Sequence, residues 1–106
     1  MYIHNRQYKA AVLRFAWDER KNRVNKRKHG ISFETAVLVF DDPYQISRQD
    51  REVDGELRWQ TLGMVMGGQI LLVAHTVWES ADEEVVHIIS ARRATPQERN
   101  IYAKED

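Results

Sequence analysis

WDERKNRVNKRKHGISFETAVLVF, which is residues 17–40, places two helical patterns of opposite chemistry on either side of one glycine. The first pattern begins at Asp18, whose carboxylate can accept the free N–H groups of a helix start, and it contains Val24 as its only aliphatic residue. Gly30 follows the last residue of this pattern, where a helix can end in the left-handed conformation that glycine adopts without penalty. The stretch therefore predicts a basic, water-facing helix that ends at Gly30.

The second pattern begins at Ser32, which is a good helix N-cap. Phe33, Ala36, Val37 and Phe40 follow at spacings of three, four and seven residues, which places them on one stripe of a helix. This half predicts a helix that packs its apolar stripe into the core. The basic helix is therefore expected to be joined directly to a buried one.

Length and composition predict one domain over residues 1–106, because 106 residues with 42% hydrophobic content can bury a small but real core. The chain has no cysteine, which excludes a disulfide framework and a thiolate zinc site and favours a cytoplasmic location. No apolar run approaches the length needed to span a membrane, so no membrane association is expected.

The formal net charge of zero hides an uneven distribution. Residues 1–30 hold nine Lys or Arg against two Asp or Glu, a net of +7, so the rest of the chain carries −7. A basic segment of this density predicts a polyanionic partner such as RNA or DNA, or an acidic protein. The alternative interpretation is a solvated helix face with no partner.

The remaining patterns predict strands over residues 12–17, 57–66, 69–78 and 85–91, with a loop or edge strand between the second helix and Gly55. Gly67-Gly68 predicts a two-residue hairpin turn, and the unbroken apolar run 70–74 predicts a central strand. Thr95-Pro96-Gln97-Glu98 combines a capping box with proline at the first helical position, so a helix is expected from there to about residue 103. The expected fold class is α+β, an antiparallel sheet with two N-terminal helices and a C-terminal helix packed on it.

Four motifs in one order resemble the BrnT family of ribonuclease toxins from type II toxin–antitoxin systems. They are WD..K...N..KHGISF at 17–33, VF.DP at 39–43, GE.R at 55–58 and IISAR.A...E...Y at 88–102. The resemblance covers residues 15–103 as the toxin domain, while residues 1–14 form an N-terminal extension that includes the start of the first strand.

The resemblance implies a RelE-like fold and a metal-independent endoribonuclease that cleaves RNA and blocks translation and growth. It also implies neutralisation by a BrnA-type antitoxin with a DNA-binding domain, so that operator DNA is contacted only through the antitoxin complex. One departure is Thr35, which stands where the family commonly has the Glu that would complete a capping box with Ser32.

Cleavage without a metal needs a base, positively charged groups and an acid. Arg92 and Arg93 leave a strand end just before a helix N-terminus, where anions are also favoured. Because neighbouring residues of a strand face opposite ways, one of the two is expected in the site. Arg92 is the candidate catalytic residue, since it shares a face with Ser90 and belongs to the family's ISAR motif, and Arg93 is a candidate RNA contact. The alternative is that both arginines only balance the acidic part of the chain.

Glu56 and Arg58 lie two residues apart at a strand start and therefore share a face. They predict either an ordinary ion pair or a base held by its partner, and the family motif GE.R favours the second. Glu98 and Tyr102, four apart on the last helix, predict a carboxylate and a phenol presented together, with Tyr102 as an RNA contact. A structural hydrogen bond between helix and sheet is the alternative.

His29 ends the basic helix, where the helix dipole favours its cationic form, so it is a candidate acid or phosphate ligand, with a C-cap contact as the alternative. His75 and His87 lie in strand patterns and are expected to be hydrogen-bonded sheet residues. No histidine pair has metal-ligand spacing, so no metal or other cofactor is expected.

Lys21, Asn25 and Lys28 are spaced four and three apart on one face of the first helix, which is the face expected to contact RNA. The sequence therefore predicts an endoribonuclease toxin, and the alternative is a non-catalytic nucleic-acid-binding adaptor. The catalytic set it predicts is Glu56, Arg58, Arg92 and His29, and the RNA-binding set is Lys21, Asn25, Lys28, Arg93 and Tyr102.

Overall fold

Six strands and three α-helices make up the part of the chain, residues 2–4 and 12–105, that a computed structural model describes. The strands are β1 (Tyr2–His4), β2 (Val12–Ala16), β3 (Ile46–Val53), β4 (Glu56–Met64), β5 (Ile70–Glu79) and β6 (Glu83–Arg93). The helices are α1 (Glu19–His29), α2 (Phe33–Ala36) and α3 (Pro96–Glu105), and 3-10 helices cover Val37–Asp41 and Met66–Gly68.

The strands form one sheet in the order β1-β3-β4-β5-β6-β2, and every neighbouring pair is antiparallel except β2 with β6. This confirms the predicted α+β class and the predicted central position of the apolar run, which lies in β5. The segment predicted as a loop or edge strand is β3, a strand that pairs with β4 over residues 46–49 and 52–53, with an irregularity between them, and with β1 over residues 46–48.

Both predicted ends of α1 are confirmed. The Asp18 carboxylate accepts from the backbone N–H groups of Arg20 and Lys21 at 2.8 and 3.2 Å. Gly30 has φ 73°, and its N–H donates to the carbonyl of Lys26 at 2.9 Å. The helix starts and stops where local chemistry satisfies its free backbone groups.

The second helix differs from the prediction, because α2 has one turn and then tightens into a 3-10 helix. A 3-10 helix aligns residues three apart, so the fully buried side chains are Phe33, Ala36 and Val39, while Val37 and Phe40 are only half-buried. The tight turn lies against Gly63 of β4, where an added Cβ would be 2.6 Å from Val39 Cγ1 and 2.9 Å from its carbonyl oxygen. The 3-10 helix packs closely against β4, and the apolar stripe predicted for a longer α-helix is therefore not formed.

The predicted hairpin between β4 and β5 is confirmed, but its turn is longer than expected. The N–H of Val65 donates to the carbonyl of Gln69 at 2.8 Å, so three residues, Met66 to Gly68, form the connection. Gly67 and Gly68 have φ values of 78° and 76°, which glycine adopts without a Cβ clash.

Two cores lie on opposite faces of the sheet. The larger one packs α2, the first 3-10 helix and Ile31 against Leu71 and Val73 of β5. The smaller one packs α3, through Tyr102, against Leu62 and Leu72. The predicted capping box of α3 is confirmed by the following pair of bonds: Thr95 N–H donates to Glu98 Oε1 at 2.9 Å, and Glu98 N–H donates to Thr95 Oγ1 at 3.2 Å.

Candidate functional site

Helix α3 covers only one end of its face of the sheet. Beyond Leu62 and Leu72, the side chains on this face come from Gln60, Ala74 and Ser90, which are aligned across β4, β5 and β6 and are all half-buried. Side chains two residues apart on a strand share a face, so the same surface continues along each strand. We call it the open face, and it consists of Arg48, Arg58, Gln60, Ala74, Thr76, His87, Ser90 and Arg92.

Arg58, Thr76 and His87 form one row across the open face. Thr76 is paired with His87, and Arg58 adjoins Trp59, which is paired with His75. Strands lie about 4.8 Å apart, so the Cα atoms of Arg58 and His87 are about 10 Å apart with Thr76 between them. Within the described residues, neither Arg58 Nε nor the Thr76 hydroxyl, both buried, has a hydrogen-bond partner. A guanidinium and an imidazole therefore flank a small side chain whose hydroxyl is unsatisfied.

Arg92 is held in place by Glu98 of α3. Two hydrogen bonds join the guanidinium to the carboxylate at 2.8 and 3.0 Å, and Nη1 also donates to the carbonyl of Arg93 at 3.2 Å. The Arg92 bonds are the main reason that the pKa of Glu98 lies below its ordinary value. Arg92 is aligned with Leu72 and Leu62, four residues from Arg58, which is about 14 Å along the strand direction. Arg58 and Arg92 therefore lie in different parts of the open face.

The predicted association of Glu56 with Arg58 is wrong. Glu56 Oε2 instead accepts a hydrogen bond at 2.9 Å from Nε1 of Trp78, a residue of the neighbouring strand that is 64% exposed. Within the described residues the two side chains do not form an ion pair. The indole N–H of Trp78 donates to the Glu56 carboxylate from the neighbouring strand. The two-residue spacing between Glu56 and Arg58 gives no information about this contact.

His29 and Arg93 lie away from this surface. Arg93 Nη1 donates to the backbone carbonyl of His29 at 3.1 Å, which fastens the end of α1 to the end of β6. Because Arg93 follows Arg92 on a strand, its side chain leaves the sheet on the opposite face. The structure thus separates the predicted catalytic set, with Glu56, Arg58 and Arg92 on one face and His29 at the far side of the β6 edge.

On the face of α1 that was predicted to contact RNA, the lysines are accessible, whereas the prediction for Asn25 is wrong because its side chain is buried. Lys21 and Lys28 are exposed, whereas Asn25 is 6% exposed and bonded to the backbone of β6 and of the segment after Gly30. The sequence could not reveal that the helix turns a polar side chain inward. The exposed cations of α1 are Arg20, Lys21, Arg23, Lys26, Arg27 and Lys28.

Tyr102 does not present its phenol with Glu98. It is buried, and its hydroxyl donates to Asp42 Oδ2 at 2.5 Å, while the same carboxylate oxygen accepts from the N–H of Met64 at 2.7 Å. The structural alternative is therefore the observed one, and Tyr102 is not exposed to RNA. Asp42, from the VF.DP motif, ties the end of the 3-10 helix to β4 and α3.

The two strand histidines differ in environment. His75 is a hydrogen-bonded sheet residue as predicted: its Nε2 lies 2.7 Å from Thr61 Oγ1, and burial lowers its pKa to about 4. His87 is half-buried on the open face and forms no side-chain hydrogen bond with a described residue. The sequence could have indicated that His87 lies on this face, because His87 alternates with Val86 and Ile88. These two residues are buried on the opposite face.

Residues 2–4 and 12–105 contain no group of three or more His, Cys, Asp or Glu side chains placed to share a metal ion. None of the helices in these residues is both long enough and apolar enough to cross a membrane.

Comparison with known proteins gives the family. Residues 17–98 match the family model described as ribonuclease toxin, BrnT, of type II toxin–antitoxin system. The chain belongs to the BrnT family. A search of curated proteins gave no match.

Among solved structures, this BrnT chain is similar to the 1.1 Å crystal structure of the ribonuclease toxin BrnT from Brucella abortus. The TM-score is 0.56 at 22% identity, and the alignment covers 79% of this chain and 99% of that chain. At this identity the likeness establishes a shared fold. Membership of the BrnT family implies an RNA substrate and an antitoxin partner.

Proposed function

We propose that this BrnT chain is an endoribonuclease that cleaves RNA on the open face without a metal ion, and that it thereby blocks translation and growth. The observation that carries the proposal is the row of Arg58, Thr76 and His87, with Arg92 fixed further along the same face. The row places a guanidinium and an imidazole on either side of Thr76, which are groups that can stabilise negative charge and transfer a proton.

The proposed chemistry begins with attack of the ribose 2′-hydroxyl on the adjacent phosphorus. Neutral His87 accepts the hydroxyl proton as the new O–P bond forms, and the 5′-oxygen leaves with a proton from the imidazolium or from water. Arg58 stabilises the extra negative charge of the phosphorane, which is greatest when both bonds are partly formed. Glu56, two residues from Arg58 on the same face, is the second candidate for the base.

The basic helix contributes binding rather than chemistry in this proposal. Its six cations are all exposed, and α1 lies beside the end of β6 that carries Arg92 and Arg93. Lysine and arginine contacts to phosphates release counterions and hold RNA without reading its sequence. Lys21 and Lys28 are therefore proposed to contact the backbone of RNA whose cleaved bond lies on the open face.

The test is single-turnover cleavage of RNA by purified protein in excess EDTA. Arg58→Gln and His87→Gln should each slow cleavage by about a hundredfold or more. Arg51→Gln is the matched control, because Arg51 is an exposed arginine of β3 and should leave the rate within twofold. Cleavage that stops in EDTA would refute metal independence, and RNA that is bound but never cut would favour the nucleic-acid-binding adaptor.

Arg92 needs a different control, because its removal also breaks the pair with Glu98. Arg92→Ala and Glu98→Ala both abolish that pair, but only the first removes the cation. If Arg92 stabilises charge in the reaction, Arg92→Ala slows cleavage much more than Glu98→Ala at equal thermal stability. Equal rates for the two variants would show that Arg92 only anchors α3.

The partner is proposed to be a BrnA-type antitoxin that carries a DNA-binding domain, with operator DNA contacted only through the complex. The proposed location is the cytoplasm, where both RNA and such a partner are found. A negatively charged antitoxin surface would fit the exposed cations of α1 and compete with RNA. Copurification of an antitoxin from the native host would support this, and recovery of active chain alone would contradict it.

A further inference from the structure

At the end of β6 that carries Arg92, the outer edge of the strand has no strand partner among the described residues. Strand β2 pairs with β6 only over residues 83–87, so in the described part of the chain no strand covers the backbone from Ile88 onward. An N–H and a carbonyl at a buried strand edge need partners, because a buried polar group without a hydrogen bond destabilises the fold. Ala91 is fully buried at this position.

The side chain of Asn25 satisfies both groups of Ala91. Its Nδ2 donates to the Ala91 carbonyl at 2.8 Å, and its Oδ1 accepts from the Ala91 N–H at 3.1 Å. This is the pattern by which a residue of a neighbouring strand exchanges two hydrogen bonds with its partner. One amide therefore replaces one strand residue at the open edge.

The same amide also fixes the segment after α1. Nδ2 donates a second bond, to the carbonyl of Ile31 at 2.9 Å, so both amide hydrogens and the oxygen are used. Asn25 thus joins three parts of the chain: the basic helix, the residues that follow Gly30, and the end of β6. Fully satisfied buried polar groups of this kind fix relative positions more sharply than apolar contacts do.

We propose that Asn25 is a positioning residue for the reaction, which holds Arg92 in place relative to the cations of α1. Arg92 directly follows Ala91, so the backbone that Asn25 fixes is the backbone that aims the guanidinium. The inference rests on the proposed function of the open face. It assigns Asn25 no contact with RNA, since the residue is buried.

Asn22 is the matched control that the chain itself offers. It lies one turn earlier on α1, is buried like Asn25, and accepts a hydrogen bond from the N–H of Phe33 at 2.8 Å. Its Nδ2 donates to Glu34 Oε1 at 2.9 Å. It therefore fastens α1 to α2 and not to β6, so its loss should reduce stability without displacing Arg92.

The test measures kcat and KM for RNA cleavage at a temperature where every variant is folded. Asn25→Ala should lower kcat tenfold or more, because small displacements of a catalytic group are costly, and should change KM little. Asn22→Ala should keep kcat within twofold. The double variant Asn25→Ala/Arg92→Ala should be no slower than Arg92→Ala alone, because the displaced group is already absent.

Equal kcat values for Asn25→Ala and Asn22→Ala, or rate losses that multiply in the double variant, would overturn the inference while leaving the proposed function standing. An Arg92→Ala variant with the parent's rate would refute the proposed site, and the inference with it. If Asn25→Ala does not fold, Asn25→Asp takes its place, since it retains the acceptor for the Ala91 N–H and loses both donated bonds. It should show the same loss of kcat, and an unchanged kcat would count against the inference.

Discussion

Acid should destabilise this protein through His75, a buried histidine that the proposed reaction does not use. Its ring lies edge-on to Phe40, with centroids 5.1 Å apart, on the face of the sheet opposite His87. Nδ1 lies 3.3 Å from the carbonyl of Thr76, so Nδ1 carries the proton and Nε2 accepts from the Thr61 hydroxyl. The ring is therefore neutral and fully bonded in the folded state.

The pKa of His75 is about 4 in the folded protein, and the ordinary value of 6.5 applies once the chain unfolds. As the pH falls below 6.5, the unfolded state binds a proton that the folded state does not bind, so the free energy of unfolding decreases. The loss begins near pH 6.5 and is complete below pH 4. Each unit of difference between the two pKa values corresponds to about 1.36 kcal/mol in the free energy of unfolding. The full loss of stability is therefore roughly 3 kcal/mol, and the loss at pH 5 is about 2 kcal/mol.

Urea unfolding at pH 7.5 and pH 5.0, followed by circular dichroism, measures this loss directly. Glutamine at position 75 can still accept from Thr61 but does not titrate, so His75→Gln should lose about 2 kcal/mol less than the parent between the two pH values. His87→Gln should retain the parent's pH dependence, because it leaves His75 in place. Equal losses in the parent and in His75→Gln would refute the reasoning and assign the acid sensitivity to carboxylates.

Three further predictions concern the helix end, the buried tyrosine and the basic helix. Gly30→Ala should lower the free energy of unfolding by about 1 kcal/mol, and Gly30→Asn by less, because alanine tolerates the left-handed conformation poorly; thermal unfolding of both variants checks this. Tyr102→Phe should cost about 1–2 kcal/mol by leaving Asp42 with one partner fewer, yet it should bind RNA like the parent in a filter-binding assay. Replacing Lys21 and Lys28 by Gln should weaken RNA binding and flatten its salt dependence, and an unchanged slope would exclude α1 from the interface.

Local chemistry explains most of what could be predicted from the sequence. The caps of α1 and α3, the turn glycines and the alternating strands depend on residues within a few positions of each other, so spacing alone predicts them. The partners of Glu56 and Asn25 lie 22 and 66 residues away, on other strands. Their contacts are set by how helix and sheet dock, and no local pattern encodes that.

The same distinction changes how the BrnT motifs should be interpreted. Asn25 and Asp42 stand inside motifs that resemble a functional signature, but both are buried and bond to backbone groups. Arg58 and Arg92 stand in equally specific motifs and remain on the open face. A residue can therefore belong to such a motif because the fold requires it or because the reaction does. Loss of toxicity in an Asp42 variant can therefore result from unfolding, so stability has to be measured on the same preparation. Arg58 anchors no other element in the described residues, and its function can be tested directly.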